Sequence, residues 1–435
     1  MPRISFSSKK EKGIALIGAY LVISVLLGFV TALVTVSNTQ NSIVNSYKRQ
    51  TQALDLAEAG LDNALFFLRA QPTPPSGYNN FNPWGGAQAL GAGNYNVLIT
   101  DLGVGARARY KVISTGTVGI TSKTLKNYLQ IDNYARYIWF TETESFGNTN
   151  VWFWNQDYLK GPTHTNGHFN IANNPSFDGD VSSTDDYIRF YNNGNNINLS
   201  ELTNPPYDNP NFMQGATLGS EYEVLPAKAQ NLRSAAQNSE SGKFYLTGDT
   251  TIVLNANGTM NVTNSNSGWS NKNMALPVNG ALFVNKGELT ISGTLKGRLS
   301  VGANYDINIP GSIVYATDPR TNPASTDTMG IISEQDVVIN HNAPGPDLEI
   351  DAAIMAMTTS FMLDNWSQGP AKGDLTVYGG IIQDQRGPVG TFNGQTGQKV
   401  SGYSKKYSYD PRLLNNPPPY YPTTQDYVTL SWEEQ

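Results

Sequence analysis

No charged residue occurs between Gly13 and Tyr47, and residues 14–36 (IALIGAYLVISVLLGFVTALVTV) form an almost unbroken apolar run. At about 1.5 Å of rise per residue, a helix over this run extends roughly 35 Å, enough to cross a hydrocarbon core about 30 Å thick. Apolar side chains then recur at Ile43, Tyr47, Leu54, Leu61, Leu65 and Leu68. That is the spacing of one helical face, with Lys48, Arg49, Asp55 and Asp62 off it. Residues 14–71 contain no proline, and Pro72-Thr73-Pro74-Pro75 ends the pattern because a prolyl nitrogen has no N–H to donate. A single helical rod over 14–70 is predicted, membrane-apolar over 14–36 and amphipathic over 37–70.

Beyond the rod the period changes. A linker rich in Pro, Gly and Asn leads to three strand candidates at 95–100, 109–117 and 123–131, separated by Gly-rich turns at 103–105 and 116–119. In Tyr110-Lys111-Val112-Ile113-Ser114 the apolar residues do not alternate cleanly, which leaves the register of that strand open. From about residue 137 onward, very short apolar runs alternate with turns of Asn, Gly, Asp and Pro. The clearest lie at 281–284, 289–291, 299–301, 307–309 and 313–315, and others follow at 331–332, 337–339, 348–357 and 375–382. Regular short strands without helical segments point to a solenoid whose coils stack strand on strand, of β-helix type, with a sandwich as the alternative. The expected fold is α+β: a long helix, a small antiparallel meander, then a large all-β domain. The divisions are 1–13, 14–36, 37–70, 71–135 and 136–435. Residues 415–422 (NNPPPYYP) cannot form a central strand and are expected to pack across a surface.

Composition narrows the function. The chain has 435 residues, too many for one ordinary domain, and contains no cysteine, which removes disulfide scaffolds, thiolate metal sites and a Cys nucleophile. The formal charge is −6, yet Arg3, Lys9, Lys10 and Lys12 stand against Glu11 at the N terminus, so the body is more acidic than the total. An acidic body disfavours nucleic acid as a partner. Basic residues on the N-terminal side alone put the N terminus in the cytoplasm and the bulk outside, a single pass through the cytoplasmic membrane. A cleaved secretory signal and a plain anchor are the rivals. The apolar run is longer than a secretory h-region, and no convincing small-residue cleavage site follows it.

Lys9-Lys10-Glu11-Lys12-Gly13 followed by Ile14-Ala15-Leu16-Ile17 resembles a prepilin-type signal. Leu56-Ala57-Glu58-Ala59-Gly60-Leu61 is similar to the AEAGL-like signature of PilX-type minor pilins and of K-type minor pseudopilins of secretion systems. The resemblance covers about residues 9–70. It implies cleavage by a prepilin peptidase between Gly13 and Ile14, assembly with other pilin or pseudopilin subunits through the helix, and a cell-surface location afterwards. Where major pilins of the family carry a Glu at the fifth mature position, this chain has Gly18, which the resemblance associates with a place at the filament tip or in assembly initiation. Glu58 is the matching carboxylate of the second signature. Ser114-Thr115-Gly116-Thr117 resembles a piece of the small β region of that family. Residues 161–171, 348–357, 375–392 and 402–414 resemble an uncharacterised β domain found with PilX-like N termini, to which no activity attaches.

Candidate chemistry is sparse. His164 and His168 are four apart, the spacing of metal ligands on a helix, but Thr165-Asn166-Gly167 between them reads as a turn. Asp347, Glu349 and Asp351 alternate with Leu348 and Ile350, so a strand would set the three carboxylates on one face. That is the equipment of a polysaccharide-active enzyme or simply a solvated face. Asp178, Asp180, Asp185 and Asp186 lack any calcium-loop spacing. The aromatic clusters at 137–140, 152–154 and 403–409 suit core packing or a surface that stacks on glycans. The reading is a structural, non-enzymatic minor pilin or pseudopilin of a type IV pilus or related secretion filament, with no catalytic residue, cofactor or metal. A surface adhesin with a glycan or protein ligand is the alternative, and a polysaccharide-active enzyme the next.

Overall fold

The computed structural model describes residues 11–71, 74–103, 108–155, 157–200, 205–394 and 396–434, with backbone alone for residues 11–14 and Gln425. Of the leader expected over 1–13, residues 1–10 lie outside these, as do residues 72 and 73 of the proline stop and 104–105 of the first Gly-rich turn. Helix α1 runs Glu11–Arg69 without interruption, 59 residues, or roughly 90 Å at about 1.5 Å per residue.

The C-terminal end of α1 packs on an antiparallel sheet. Strands β1 (Gln88–Leu90), β2 (Gly93–Gly103), β3 (Arg109–Val118) and β4 (Thr121–Asn133) follow one another as a meander. A fifth strand, Thr423–Glu434, comes from the other end of the chain and pairs antiparallel with β4. The register of β3 that the sequence leaves open is a strict alternation, with Tyr110, Val112, Ser114, Gly116 and Val118 inward. Ser114 and Gly116 take core positions because α1 lies directly on them. An ideal Cβ on Gly116 would stand 2.0 Å from the Ala53 carbonyl oxygen and 2.6 Å from the Ala57 nitrogen.

Residues beyond β4 form a large β domain in which parallel strands stack coil on coil. One ladder passes in spatial order through Tyr245–Thr247, Ala281–Asn285, Arg298–Ala303, Thr328–Ser333, Leu348–Ala356 and Ala371–Gln385. It then continues into Trp139–Thr143, Thr163–Thr165, Val181–Ser183 and Ala216–Leu218. Residues 139–218 therefore stack after residues 245–385, against their order in sequence. In a second ladder Lys399–Tyr409 fills the place between Ala371–Gln385 and Tyr158–Lys160. One turn of the solenoid is thus assembled from Lys399–Tyr409 and Trp139–Thr143, the two ends of the domain. The short runs read at 281–315 are each a strand.

Parallel stacking in register lines up like side chains. Leu282, Val301, Ile331, Ile354, Ile381 and Trp139 form one buried column. Ile313, Ile350, Val377, Tyr407, Leu159 and Phe177 form another. The outward residues of the first ladder, including Phe283, Ile332, Met355 and Ile382, are covered too. Helix α2 (Gln230–Asn238) lies on part of them, held by Arg233 to Glu334 at 2.9 Å. The proline-rich stretch 415–422 crosses the rest. Tyr421 Oη donates to the Ile354 carbonyl at 3.1 Å and Arg298 Nη2 to the Pro417 carbonyl at 2.5 Å. Gly280 and Gly330 leave room for Pro419 and Pro418, which a Cβ would approach to 2.8 and 3.0 Å.

The seam between the two ends holds a buried ion pair. Arg386 and Glu144 have fully buried side chains joined at 2.6 Å. The guanidinium also donates to the Val151 and Trp152 carbonyls at 3.1 and 3.0 Å and lies 3.6 Å from the Phe153 ring centroid. Trp139 Nε1 donates to the other Glu144 oxygen at 3.1 Å. Removing one partner strands a charge without water. Glu144→Ala is therefore expected to destabilise the solenoid by about 3–5 kcal/mol, and Arg386→Met combined with Glu144→Gln by clearly less, as read from denaturant midpoints.

Candidate functional site

Two places carry the functional argument, the helix and a cavity at the seam. Along α1 the apolar segment is bare: Leu16, Leu21, Phe29, Leu33 and their neighbours are exposed, and no residue of its most apolar window is buried. This is the single described helix long and apolar enough to cross a membrane. The helix then changes character. Ala53, Leu56, Ala57, Leu61, Ala64 and Leu68 are buried against β2, β3 and β4. Of the stripe read from large side chains, Leu61 and Leu68 are buried, Leu54 and Leu65 only half-buried, and Ile43 and Tyr47 are 49% and 67% exposed. The contact interleaves Leu56, Leu61 and Leu68 with Ala53, Ala57, Gly60 and Ala64, because only Ala and Gly fit where the helix and sheet backbones approach most closely. Gly60 shows the same constraint, since a Cβ there would meet Ser114 Oγ at 2.1 Å.

Each expected helical site residue has a place in this geometry. Gly13 and Ile14 lie inside the first turns of α1, whose backbone begins at Glu11. Gly18 sits on the bare apolar part with nothing within 4 Å of where a Cβ would be. Within Leu56-Ala57-Glu58-Ala59-Gly60-Leu61, Leu56, Ala57, Gly60 and Leu61 face the sheet while Glu58 is exposed on the opposite side. Glu58 and Gly18 stand about 60 Å apart on one rod at helical rise.

The other candidates do not converge. His164 lies in the strand Thr163–Thr165, buried, with Nδ1 2.8 Å from Ser182 Oγ and Nε2 3.1 Å from Asn166 Oδ1. Burial pushes its pKa down and keeps the ring neutral. His168 instead meets Asp185 at 2.9 Å and stacks on Tyr187. Among the described residues no three His, Asp or Glu side chains come together as metal ligands. Asp178 accepts from Tyr158 Oη at 3.2 Å.

Of the acidic triplet, Asp347 accepts from the Asp374 backbone N–H at 2.7 Å, outside the strand Leu348–Ala356. Glu349 and Asp351 share Arg320, at 2.7 and 3.5 Å, and Arg320 also binds Asp318 at 2.8 Å. Asp351 is buried and accepts from the Tyr315 N–H at 3.0 Å. Loss of hydration pushes its pKa up to about 7 against the pull of Arg320, and burial likewise raises Asp132 to about 6.

At the seam, residues 146–155 and Asp157 face the hairpin of Gly390–Phe392 with Lys399–Tyr409 across a cavity of about 230 Å³. Trp154 stacks on Phe392, centroids 3.6 Å apart at 22°, and Tyr191 meets Trp152 and Trp154 edge-on. Lys405 Nζ and Asp157 Oδ2 pair at 2.6 Å in the wall. Lys399 Nζ donates to the Gly373 carbonyl and Ser404 Oγ, both at 2.9 Å. Burial pulls both lysine pKa values down. Trp154 Nε1 and Tyr403 Oη are buried with no partner among the described residues. The aromatic triplet at 152–154 marked this region in the sequence, but Phe153 is core while Trp152 and Trp154 point away from it. Phe392, Trp366, Lys399 and the Lys405–Asp157 pair carried no local signal.

A family described as Domain of unknown function (DUF4900) matches residues 97–185, which run from within β2 through β4 into the strands Trp139–Thr143, Thr163–Thr165 and Val181–Ser183. No curated protein matches the chain in sequence. Among solved structures, the chain is similar to the competence-associated pilin ComZ from Thermus thermophilus, with a TM-score of 0.35 and 12% identity. The overlay covers 89% of this chain and 97% of that one. Agreement that loose fixes neither fold nor role.

Two outcomes follow from this geometry. Gly116→Val drives a side chain into the α1 backbone and is expected to cost about 3 kcal/mol, releasing α1 from the sheet as faster amide exchange at 53–68. Asp351 has a raised folded pKa, so its stabilising contribution is complete below about pH 4 and is lost as pH climbs through about 7. Asp351→Asn is therefore expected to gain on the order of 2 kcal/mol over the parent between pH 5 and 8, seen as converging, then crossing, melting temperatures.

Proposed function

We propose that this chain is a pilin-like structural subunit, a minor pilin or pseudopilin of a type IV pilus or related secretion filament that acts in assembly initiation or at the tip. One observation carries the reading: a single helix, Glu11–Arg69, is bare and apolar at its start and seated on a small antiparallel sheet at its end. Such a rod is stable in a bilayer. Withdrawn from it, the rod must bury the same surface against sister helices, since apolar area is driven out of water in either case.

The basic residues before Gly13 hold the N terminus in the cytoplasm until a prepilin peptidase cuts between Gly13 and Ile14. Glu58, exposed opposite the sheet contact, is free to meet a neighbouring subunit. Gly18 brings no carboxylate to pair with a neighbour's terminal ammonium. Together with the bulk of the solenoid, which would crowd a shaft built of identical copies, this favours a low-copy or tip position. The role is structural rather than catalytic: Glu349 and Asp351 are tied to Arg320, and Asp347 to a backbone amide.

The test is the mass of the mature chain. Gly13→Val is expected to leave the protein at its full length in the membrane, whereas the parent loses residues 1–13. A parent chain starting beyond residue 36, or a variant processed normally, overturns the reading.

A further inference from the structure

The helix accounts for assembly and leaves the seam cavity unused. Its wall combines aromatic faces with ring-edge donors. Trp154 and Phe392 stack at 3.6 Å, Tyr403 stands beside them, and Lys405–Asp157 closes one side. Trp154 is 3% and Tyr403 4% exposed, yet Trp154 Nε1 and Tyr403 Oη have no partner among the described residues. Buried donors are ordinarily paired, so two in one cavity wall call for a ligand that brings its own hydroxyls. Lys399, with two of its three N–H bonds used inside the protein, adds a third donor.

We propose that this cavity binds one pyranose ring of a polysaccharide, with the C–H face of the sugar against the half-buried rings of its wall, Trp152, Trp366 and Phe392, and its hydroxyls on Trp154 Nε1, Tyr403 Oη and Lys399 Nζ. A pyranose has this dual character, an apolar face bordered by hydroxyls. An aromatic or aliphatic peptide side chain would fill the space but leave the donors unpaired, which is the costly outcome. The cavity of about 230 Å³ has room for one ring rather than a run of them. The site draws on residue 154 from one end of the domain and residues 392, 399 and 403 from the other, so it exists only when the seam is closed. The inference does not rest on the pilin reading.

The experiment uses the full chain in a detergent without a sugar headgroup. Saturation-transfer NMR is run with methyl glucoside, methyl galactoside, N-acetylglucosamine and galacturonate, and with N-acetylphenylalanine amide as the peptide probe. At least one sugar is expected to show saturable transfer, strongest at ring C–H protons. Trp154→Phe and Tyr403→Phe, which keep the rings and delete the donors, are each expected to weaken it about five- to tenfold. Because each removes an unpaired buried group, the melting transition of the free variant stays where it was or rises. No saturable transfer from any of the four sugars overturns the proposal. So does equal affinity in both variants, or tighter binding of the peptide probe than of every sugar.

Discussion

A solenoid whose middle turn is made of both ends of its own domain depends on closing that turn, and the buried Arg386–Glu144 pair lies at the closure. The two residues are 242 apart in sequence, yet the guanidinium satisfies one carboxylate and two carbonyls of the 144–152 segment at once. Ions taken out of water are tolerated when every partner is present and are costly when one is missing. The two halves of the ladder are therefore coupled at the seam. Closing there also brings the chain out of the solenoid near where it entered. That is how 415–422 comes to cross the outer face and Thr423–Glu434 to join β4.

The head of the molecule obeys a different constraint, that of distance. Helix α1 sits so close to β3 that Ala53, Ala57 and Gly60 on one side and Ser114 and Gly116 on the other leave no room for larger groups. Close approach of rigid backbones holds the long axis of α1 at a defined angle to the sheet, and the C-terminal strand ties that sheet to the solenoid through β4. Arg136 strengthens the join, pairing with Asp132 and with Glu223 at 2.6 Å. The apolar start of α1 packs against none of the described residues.

The seam explains why the cavity is where it is. Two chain segments meeting from opposite ends of a domain do not continue each other's backbone, so the coil there cannot be as regular as its neighbours. Residues 146–155 and the strands Gly390–Phe392 and Lys399–Tyr409 fill the irregularity with aromatic rings, leaving polar edges that no described residue satisfies. Elsewhere the polar groups that drew notice in the sequence are spent within the fold: His164 on Ser182 and Asn166, Glu349 on Arg320.

Features that depend on neighbours along the chain are legible in the residues alone. The apolar run, the proline stop and the short apolar runs at 281–315 declare the rod and the stacked strands, because period and turn chemistry are local properties. The sequence could not determine which small residues carry the helix contact, since Ser114 and Gly116 look polar or neutral until a helix is laid on them. Nor could it show that residues 139–218 stack after 245–385, or that Trp154, Phe392, Lys399 and Tyr403 share one cavity. Those are consequences of long-range pairing. They emerge on folding, because loop closure carries no imprint on the composition of the segments it joins.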